Sequence, residues 1–302
     1  MADRVPYELI LEHWQKGTVI PFLGAAVCKV GRDATWVRGK GLPDGTELAQ
    51  ELARLVGYDG PMDLRKVAQY AEITGMESAF GEMLREIVGA ECDPNELHNL
   101  LAEMSANANL SVTTNYDTLL ERAMGTRPYD VVIPSPRKEW GVKYFGWLPH
   151  DRGWLPNEEH TPDWLTDDQL AKKDLRRRPV IFKMHGTLSD QADKVWENFV
   201  ITEDDYTAYL SHMPIPTAFF PAFVQRSFLF LGCSLEDSNL RVLLHRLRKH
   251  KKGVPSWAIQ FKASEAEKRL WQERDVLVYD ADINEFMRGV STERVRQLRC
   301  LG

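Results

Sequence analysis

Residues 227–234 read Ser-Phe-Leu-Phe-Leu-Gly-Cys-Ser, a largely apolar stretch that runs directly into a glycine. A continuous apolar run, as opposed to an alternating one, is typical of a parallel strand that is covered on both faces. Similar runs lie at 18–23, 110–113 and 180–183, and helical spacings of apolar residues separate them. The sequence therefore predicts an α/β fold with a doubly wound parallel sheet, in which ligands bind beyond the carboxyl ends of the strands.

Two regions of the chain interrupt this alternation of strands and helices. Residues 46–105 contain only helical spacings, and they begin at Thr46, a residue type that caps helices. Residues 134–178 combine several prolines with four tryptophans, namely Trp140, Trp147, Trp154 and Trp164. We expect a helical module in the first region and an irregular, aromatic-packed insertion in the second, both within one domain that spans residues 1–302.

The composition is that of an ordinary folded protein and excludes several classes. Apolar residues make up 43% and charged residues 27% of the 302 residues, so the chain is not disordered. The net charge of −6 gives no overall basic field, and direct binding of nucleic acid is not indicated. No apolar run approaches the length of about eighteen residues that spans a membrane, and the start of the chain lacks the pattern of a signal peptide.

The four cysteines, Cys28, Cys92, Cys233 and Cys300, are scattered along the chain. The sequence has no Cys-x-x-Cys pair and no His, Cys and Asp cluster at the spacing of metal ligands, so no metal site is predicted. Isolated cysteines suit a reducing compartment, where they act mostly as small buried apolar residues. We therefore expect the protein to lie in the cytoplasm.

Small and polar residues follow four of the predicted strands. These turns are Gly24-Ala25-Ala26, Thr114-Asn115-Tyr116-Asp117, His185-Gly186 and Gly232-Cys233-Ser234. If the sheet is parallel, all four turns lie at the same edge, and an amide, a carboxylate, an imidazole and a hydroxyl then line one crevice. We expect a nucleotide site with a polar reaction centre at this edge.

Each turn also has a purely structural explanation. The glycine turn at 24–26 suits a tight strand-to-helix connection, and it lacks the G-x-G-x-x-G pattern. Asp117 suits the cap of a helix that begins near Thr118, and an isolated His185 is more often a hydrogen-bonded buried histidine than a catalyst. The segment 203–205 is acidic and fits the start of a helix. The placement of the four turns after successive strands favours a functional site over these separate explanations.

Five segments, taken in order, resemble the sirtuin-like family, and more closely its prokaryotic antiphage-defence branch. They are Phe22–Ala26, Thr113–Asp117, Lys183–Gly186, Ile201–Tyr206 and Phe230–Leu235. The resemblance covers roughly residues 16 to 260. It implies a Rossmann-like NAD-binding domain that carries a helical module and uses NAD as its substrate without a metal.

The resemblance also implies a role for each turn. Asn115 holds the nicotinamide ribose and a water molecule, and His185 is the general base. The glycine turn approaches the pyrophosphate, Asp117 supports the nicotinamide pocket, and the turn at 232–234 contacts the adenosine ribose. The residues assigned to NAD binding are Gly24, Ala25, Ala26, Cys28, Thr114, Asn115, Asp117, Gly232, Cys233 and Ser234.

The chain departs from the family pattern at identifiable places. Family members usually have Gly-Ala-Gly followed by a serine two residues on, and here Ala26 and Cys28 take the places of the second glycine and the serine. The two Cys-x-x-Cys pairs that bind zinc in protein deacetylases are missing, as is the Gly-Ile-Pro-Asp-Phe-Arg stretch. These absences disfavour a deacetylase and favour the defence branch, which resembles NAD hydrolases.

The expected activity is hydrolysis of the nicotinamide–ribose bond to nicotinamide and ADP-ribose, by an effector that depletes NAD only when it is activated. By family analogy, gating would come from a homo-oligomer or from a partner, in some systems a ring-shaped DNA-translocating ATPase. Two alternatives stay open. One is a catalytically silent scaffold that binds NAD or ADP-ribose, which Ala26 and Cys28 make credible, and the other is an ADP-ribosyltransferase.

Overall fold

The computed structural model describes residues 4–32, 34–134, 141–146, 163–188, 198–211, 215–235, 238–248 and 255–301. The strands are β1 (Val19–Leu23), β2 (Leu110–Thr113), β3 (Asp130–Pro134), β4 (Val142–Phe145), β5 (Asp163–Leu165), β6 (Val180–Lys183), β7 (Gly186–Thr187), β8 (Asn198–Phe199), β9 (Ser227–Leu231), β10 (Ser256–Gln260) and β11 (Val276–Asp280).

The α-helices are α1 (Tyr7–Gln15), α2 (Gly45–Val56), α3 (Leu64–Ile73), α4 (Glu77–Val88), α5 (Glu96–Ala108), α6 (Leu119–Met124), α7 (Asp167–Ala171), α8 (Glu203–Ser211), α9 (Phe220–Gln225), α10 (Ser238–Arg248), α11 (Glu265–Gln272) and α12 (Ile283–Leu301). Short 3₁₀ turns lie at Ala25–Lys29 and Thr217–Phe219.

Nine strands form one sheet in the order β11-β10-β9-β1-β2-β6-β3-β4-β5. The first seven strands of this order are mutually parallel, while β4 pairs antiparallel with β3 and β5 pairs antiparallel with β4. This arrangement confirms the predicted Rossmann-like, doubly wound sheet. The chain leaves β1 towards β2 on one side and later adds β9 on the other side, so the topological switch point lies between β1 and β9, where ligands of such folds bind.

Apolar layers cover both faces of the sheet. On one face, α1 and α12 bury Trp14 and Phe286 beside the side chains of β1. On the other face, Phe223 of α9 and Trp271 of α11 pack against the apolar side chains of β9 and β10. Burial of each large apolar side chain contributes about 1.5–3 kcal/mol, so these layers hold the strand ends in a fixed arrangement.

The predicted helical block divides into two parts. Helices α2, α3 and α4 share a small core of their own, which includes Leu52, Val67 and Leu84. Helix α5 instead buries Leu97 and Leu101 in the layer that covers the sheet. The helical module that faces the strand ends therefore consists of α2–α4, a smaller unit than residues 46–105.

Thr46 does not cap the first helix of this module, so that expectation is wrong. The cap is Asp44, whose Oδ1 accepts hydrogen bonds from the backbone N–H groups of Thr46 at 2.9 Å and Glu47 at 2.8 Å. The Glu47 carboxylate accepts in return from the Asp44 N–H at 2.8 Å. This reciprocal pair is a capping box, and it starts the helix two residues earlier than a cap at Thr46 would.

The insertion at 134–178 contains two strands and a short helix among its described residues, and its last part, 172–178, forms turns and irregular structure. Strands β4 and β5 extend the sheet at its β3 edge, and α7 follows them. Trp164 is 43% exposed, with the Lys143 ammonium 4.8 Å from the centre of its indole ring, so it is not a packing residue of the interior. Trp140, Trp147 and Trp154 lie outside the described residues.

Among the described helices, none combines the length and the apolar character needed to cross a bilayer.

Candidate active site

A cavity of about 590 Å³ lies beyond the carboxyl ends of four neighbouring strands, β9, β1, β2 and β6. The predicted site residues all line it, namely Gly24, Ala25, Ala26, Cys28, Thr114, Asn115, Asp117, His185, Gly232, Cys233 and Ser234. The four turns therefore share one crevice, as the sequence predicts for a parallel sheet. The role of each residue remains a prediction.

The cavity extends along the edge of the sheet. Gln260, the last residue of β10, lines one end, and His185, which follows β6, lines the other. Four inter-strand spacings separate β10 from β6, and at about 4.8 Å each the site is about 19 Å long. A ligand with two linked halves fits this length better than a single small molecule.

The two glycine turns at the switch point interlock. A Cβ atom on Gly24 would lie 2.5 Å from the carbonyl oxygen of Gly232, and a Cβ atom on Gly232 would collide with the backbone N of Val27. Gly232 also has a φ of +66°, which side-chain-bearing residues rarely adopt. Both positions therefore require glycine, and the turns after β1 and β9 are held as one unit.

Ala26 belongs to this unit. Its backbone N–H donates to the carbonyl oxygen of Gly232 at 3.1 Å. This amide therefore joins the two turns, although the resemblance implies that the turn approaches a pyrophosphate. Ala26, which stands where family members usually have glycine, therefore has a backbone N–H that already donates to an acceptor within the protein.

Asn115 follows β2 and crosses towards the first glycine turn. Its side-chain Nδ2 donates to the carbonyl oxygen of Gly24 at 3.3 Å, and its backbone N–H donates to the Thr113 hydroxyl at 3.0 Å. Its Oδ1 atom is buried and accepts no hydrogen bond from the described residues. A buried amide oxygen of this kind is suited to accept from a hydroxyl group or a water molecule.

Asp117 stands just before Thr118, the N-cap residue of α6, and its carboxylate binds the first N–H of the helix. Its Oδ1 accepts from the backbone N–H of Leu119 at 3.0 Å, while the residue also lines the cavity. The Asp117 carbonyl oxygen accepts from the Lys183 ammonium. This contact ties the turn that carries Asn115 to the end of β6.

Lys183 also forms a buried ion pair with Glu121. The Nζ–Oε1 distance is 2.9 Å, and the two side chains are 0% and 2% exposed. Burial raises the pKa of Glu121 above its ordinary value, and the ammonium of Lys183 opposes that rise. This ion pair could not be predicted from the sequence, because nothing near a lysine at the end of a strand indicates which carboxylate it pairs with.

His185 is buried, with 5% of its surface exposed. Its ring Nδ1 lies 3.1 Å from the hydroxyl of Tyr206 on α8, and its backbone carbonyl accepts from the Val200 N–H at 2.9 Å. The imidazole therefore reaches the cavity in a fixed position at the β6 end of the site.

The helical module contributes residues that the sequence analysis did not identify. Arg65, near the start of α3, lines the cavity and is the one arginine or lysine among the lining residues described. Its guanidinium makes a two-pronged contact with Asp63 and lies 5.5 Å from the ring centre of Tyr206. The segment Ile201–Tyr206 carried a signal for Tyr206, whereas Arg65 sits in an ordinary amphipathic helix.

The cysteines of the cavity are not suited to nucleophilic chemistry. Burial raises the pKa of the Cys28 thiol to about 12, so the thiolate is not populated near neutrality. The Cys233 thiol lies 3.4 Å from the carbonyl oxygen of Phe22. Within the described ranges no group of three or more His, Cys, Asp or Glu residues is placed to hold a metal ion.

Residues 109–279, more than half of the chain, match the SIR2-like domain family. NAD(+) hydrolase ThsA of Acinetobacter baumannii (strain 532279) is 31% identical over 197 residues, which cover 64% of this chain and 33% of that protein. NAD(+) hydrolase ThsA of Bacillus cereus (strain MSX-D12) is 28% identical over 207 residues, or 67% and 36% of the two chains. Defense-associated sirtuin 2 of Bacillus subtilis is 24% identical over 247 residues, or 80% and 20%. The chain spans roughly a third or less of these relatives.

Proposed function

This chain belongs to the SIR2-like domain family, and from that premise we propose that it is an NAD hydrolase that cleaves the nicotinamide–ribose bond. The observation that carries the proposal is that Asn115 and His185, seventy positions apart, line the same cavity. The products are nicotinamide and ADP-ribose. The names of the relatives, two of them NAD(+) hydrolases, support the same chemistry.

The reaction needs little covalent chemistry from the protein. The nicotinamide–ribose bond breaks through an oxocarbenium-like centre, and nicotinamide leaves as a neutral molecule. Water adds to the anomeric carbon, and the proton that it loses passes to His185 and then to solvent. Asn115 Oδ1 accepts a hydrogen bond from the ribose or from that water and fixes its position. Transfer of a proton by a positioned group contributes about 10²- to 10⁴-fold to such a rate.

The length of the cavity supports a dinucleotide substrate. With the nicotinamide ribose at Asn115 and His185, the adenosine half reaches towards Ser234 and Gln260, about 19 Å along the sheet edge. Arg65 supplies a cation for the pyrophosphate in a lining that otherwise contains the carboxylates of Asp44, Asp63 and Asp117.

We further propose that the activity is gated and serves antiphage defence in the cytoplasm. Unrestrained hydrolysis of NAD would poison the cell that makes the protein. A homo-oligomer, or a separate partner such as a ring-shaped DNA-translocating ATPase, would release the activity. The name of the Bacillus subtilis relative, a defence-associated sirtuin, supports this assignment.

The test is to incubate the purified chain with NAD and to follow nicotinamide, ADP-ribose and the melting temperature together. Release of both products in equal amounts supports the hydrolase. Nicotinamide together with an ADP-ribosylated macromolecule would identify a transferase. Because a ligand at 100 times its Kd stabilises a folded protein by about 2.7 kcal/mol, a raised melting temperature without products reports binding alone. NAD levels in cells that express the chain then separate a gated enzyme from a silent scaffold.

The second candidate is that scaffold, and the Ala26 amide favours it, because that N–H already donates to Gly232 and not to a ligand. Two results together would support the scaffold and contradict the hydrolase. The pure chain would bind NAD, and the NAD level would stay unchanged in cells that express the chain and carry an active defence stimulus.

Asn115→Ala should lower kcat for nicotinamide release by about 100-fold, because the oriented acceptor Oδ1 is lost. The melting temperature should change little, since within the described residues the side chain makes one long hydrogen bond, 3.3 Å to Gly24. Rates of nicotinamide release measured at saturating NAD check the prediction. Asn107→Ala, at an exposed position of α5, is the matched control and should retain the wild-type rate. Equal rates for both variants would exclude a catalytic role for Asn115.

A further inference from the structure

We propose that Tyr206 is a positioning residue that fixes the tautomer of His185, an inference that rests on the function proposed above. In this arrangement the phenol oxygen of Tyr206 accepts a hydrogen bond from His185 Nδ1–H, across the observed 3.1 Å. Because the two ring nitrogens of a neutral histidine divide the roles of donor and acceptor, a protonated Nδ1 leaves Nε2 to take the proton from the attacking water.

Two tyrosines of α8 enclose the imidazole ring. Its plane is nearly perpendicular to the rings of Tyr206 and Tyr209, at 83° and 85°, with ring centres 5.0 and 5.8 Å away. The two hydroxyl groups have different partners. The hydroxyl of Tyr209 donates to the carbonyl oxygen of Met184 at 2.7 Å. Tyr206 is therefore the phenol that reaches Nδ1, while Tyr209 packs against the ring without bonding to it.

The start of α8 is built to hold Tyr206 in place. The Asp205 carboxylate accepts from the backbone N–H groups of Ile201 at 3.1 Å and Thr202 at 3.2 Å, and the Thr202 hydroxyl accepts from the Asp205 N–H at 3.0 Å. Gln69 of α3 exchanges two hydrogen bonds with Asp204. The acidic residues of this segment thus anchor the helix, and its tyrosine carries the contact with the site.

The direction of the hydrogen bond has a measurable consequence. If Tyr206 accepts from Nδ1–H, the bond is stronger for the imidazolium than for the neutral ring, and its loss favours the neutral form. If Tyr206 instead donated to Nδ1, the bond would exist only in the neutral form, and its loss would favour the cation. Tyr206 and Tyr209 pack against the imidazole, and the other titratable or charged side chains described in the lining of the cavity are those of Cys28, Asp44, Asp63, Arg65, Tyr116, Asp117 and Cys233. Tyr206→Phe removes the phenol hydroxyl and leaves the other groups unchanged.

The experiment compares Tyr206→Phe with Tyr209→Phe, which removes the neighbouring hydroxyl but leaves the contact with Nδ1. We expect Tyr206→Phe to lower kcat by about 10- to 100-fold with little change in KM, the loss seen when a group that orients a functional histidine is removed. The acid limb of the kcat–pH profile should move to lower pH. Tyr209→Phe should leave the acid limb at the wild-type position.

A second readout does not depend on turnover. Long-range ¹H–¹⁵N NMR of the histidine rings should show His185 protonated at Nδ1 in the neutral wild-type protein, and His185→Gln identifies its signals. Tyr206→Phe should raise the population of the Nε2–H form.

Three results would overturn the inference: a wild-type kcat and acid limb in Tyr206→Phe, an acid limb that moves to higher pH, or an Nε2–H tautomer in the wild-type protein. A wild-type chain that binds NAD but releases no nicotinamide in activated cells would contradict the proposed function instead, and the NMR result would still decide the role of Tyr206.

Discussion

His185→Ala should lower kcat for nicotinamide release by about 10²- to 10⁴-fold, the contribution of a positioned proton acceptor. The side chain is 95% buried at the end of β6, faces the cavity and is held at Nδ1 by Tyr206. Water entering the alanine variant's cavity has no group to accept its proton, so the loss should appear in kcat more than in KM.

His185→Gln separates proton transfer from packing. Glutamine approximates the volume of histidine and offers a hydrogen-bonding group to Tyr206, but it does not accept a proton near neutrality. We expect the glutamine variant to lose as much activity as the alanine variant while keeping a wild-type melting temperature. His245→Ala, at an exposed position of α10, is the control and should leave the rate unchanged. Wild-type turnover in His185→Gln would exclude a role for His185 as the base.

Lys183→Met should destabilise the protein by about 3–5 kcal/mol, because it leaves the Glu121 carboxylate buried without its partner. Urea denaturation at pH 7 measures this loss. Burial already raises the pKa of Glu121, and the variant lacks the opposing ammonium. A carboxyl group whose pKa is higher in the folded than in the unfolded state lowers the stability of the protein as the pH rises. The loss of stability in Lys183→Met should therefore become smaller as the pH falls towards the range where Glu121 is protonated.

Glu121→Leu combined with Lys183→Met is the matched double variant. Replacing both members of a buried ion pair by apolar residues of similar size is often neutral, so the double variant should recover most of the lost stability. The ammonium also holds the Asp117 carbonyl oxygen, so the double variant should keep a defect in kcat after its stability returns. A single variant that loses less than about 1 kcal/mol, the value of an exposed pair, would contradict the role assigned to the buried pair.

The strands and the juxtaposition of their ends could be predicted because both follow from local pattern. A parallel strand that is buried on both faces favours a continuous apolar run, and such runs occur at β1, β6 and β9, whereas β2 reads Leu-Ser-Val-Thr. Once these strands are parallel, their turns must share an edge. Asn115 and His185 could therefore be paired before any coordinates were available.

Features that depend on tertiary contacts could not be predicted in this way. Arg65 lies on a helix whose pattern is already explained by packing, and nothing local marks the face that meets the cavity, whereas Tyr206 is marked only by the family resemblance of Ile201–Tyr206. Strands β4 and β5 are short and lie at the sheet edge, so their residues carry a weak strand signal. The cap of α2 could have been found from sequence, because Asp44 stands three residues before Glu47, the spacing of a capping box.

The interlocked turns at Gly24 and Gly232 lie far apart in the chain, and this separation determines when the cavity can form during synthesis. Ribosomes synthesise β1 before β9, and the first residues of the two strands, Val19 and Ser227, are 208 positions apart. Until β9 inserts beside β1, one wall of the NAD cavity does not exist. A chain that ends before β9 therefore lacks part of the cavity on which the proposed hydrolysis depends.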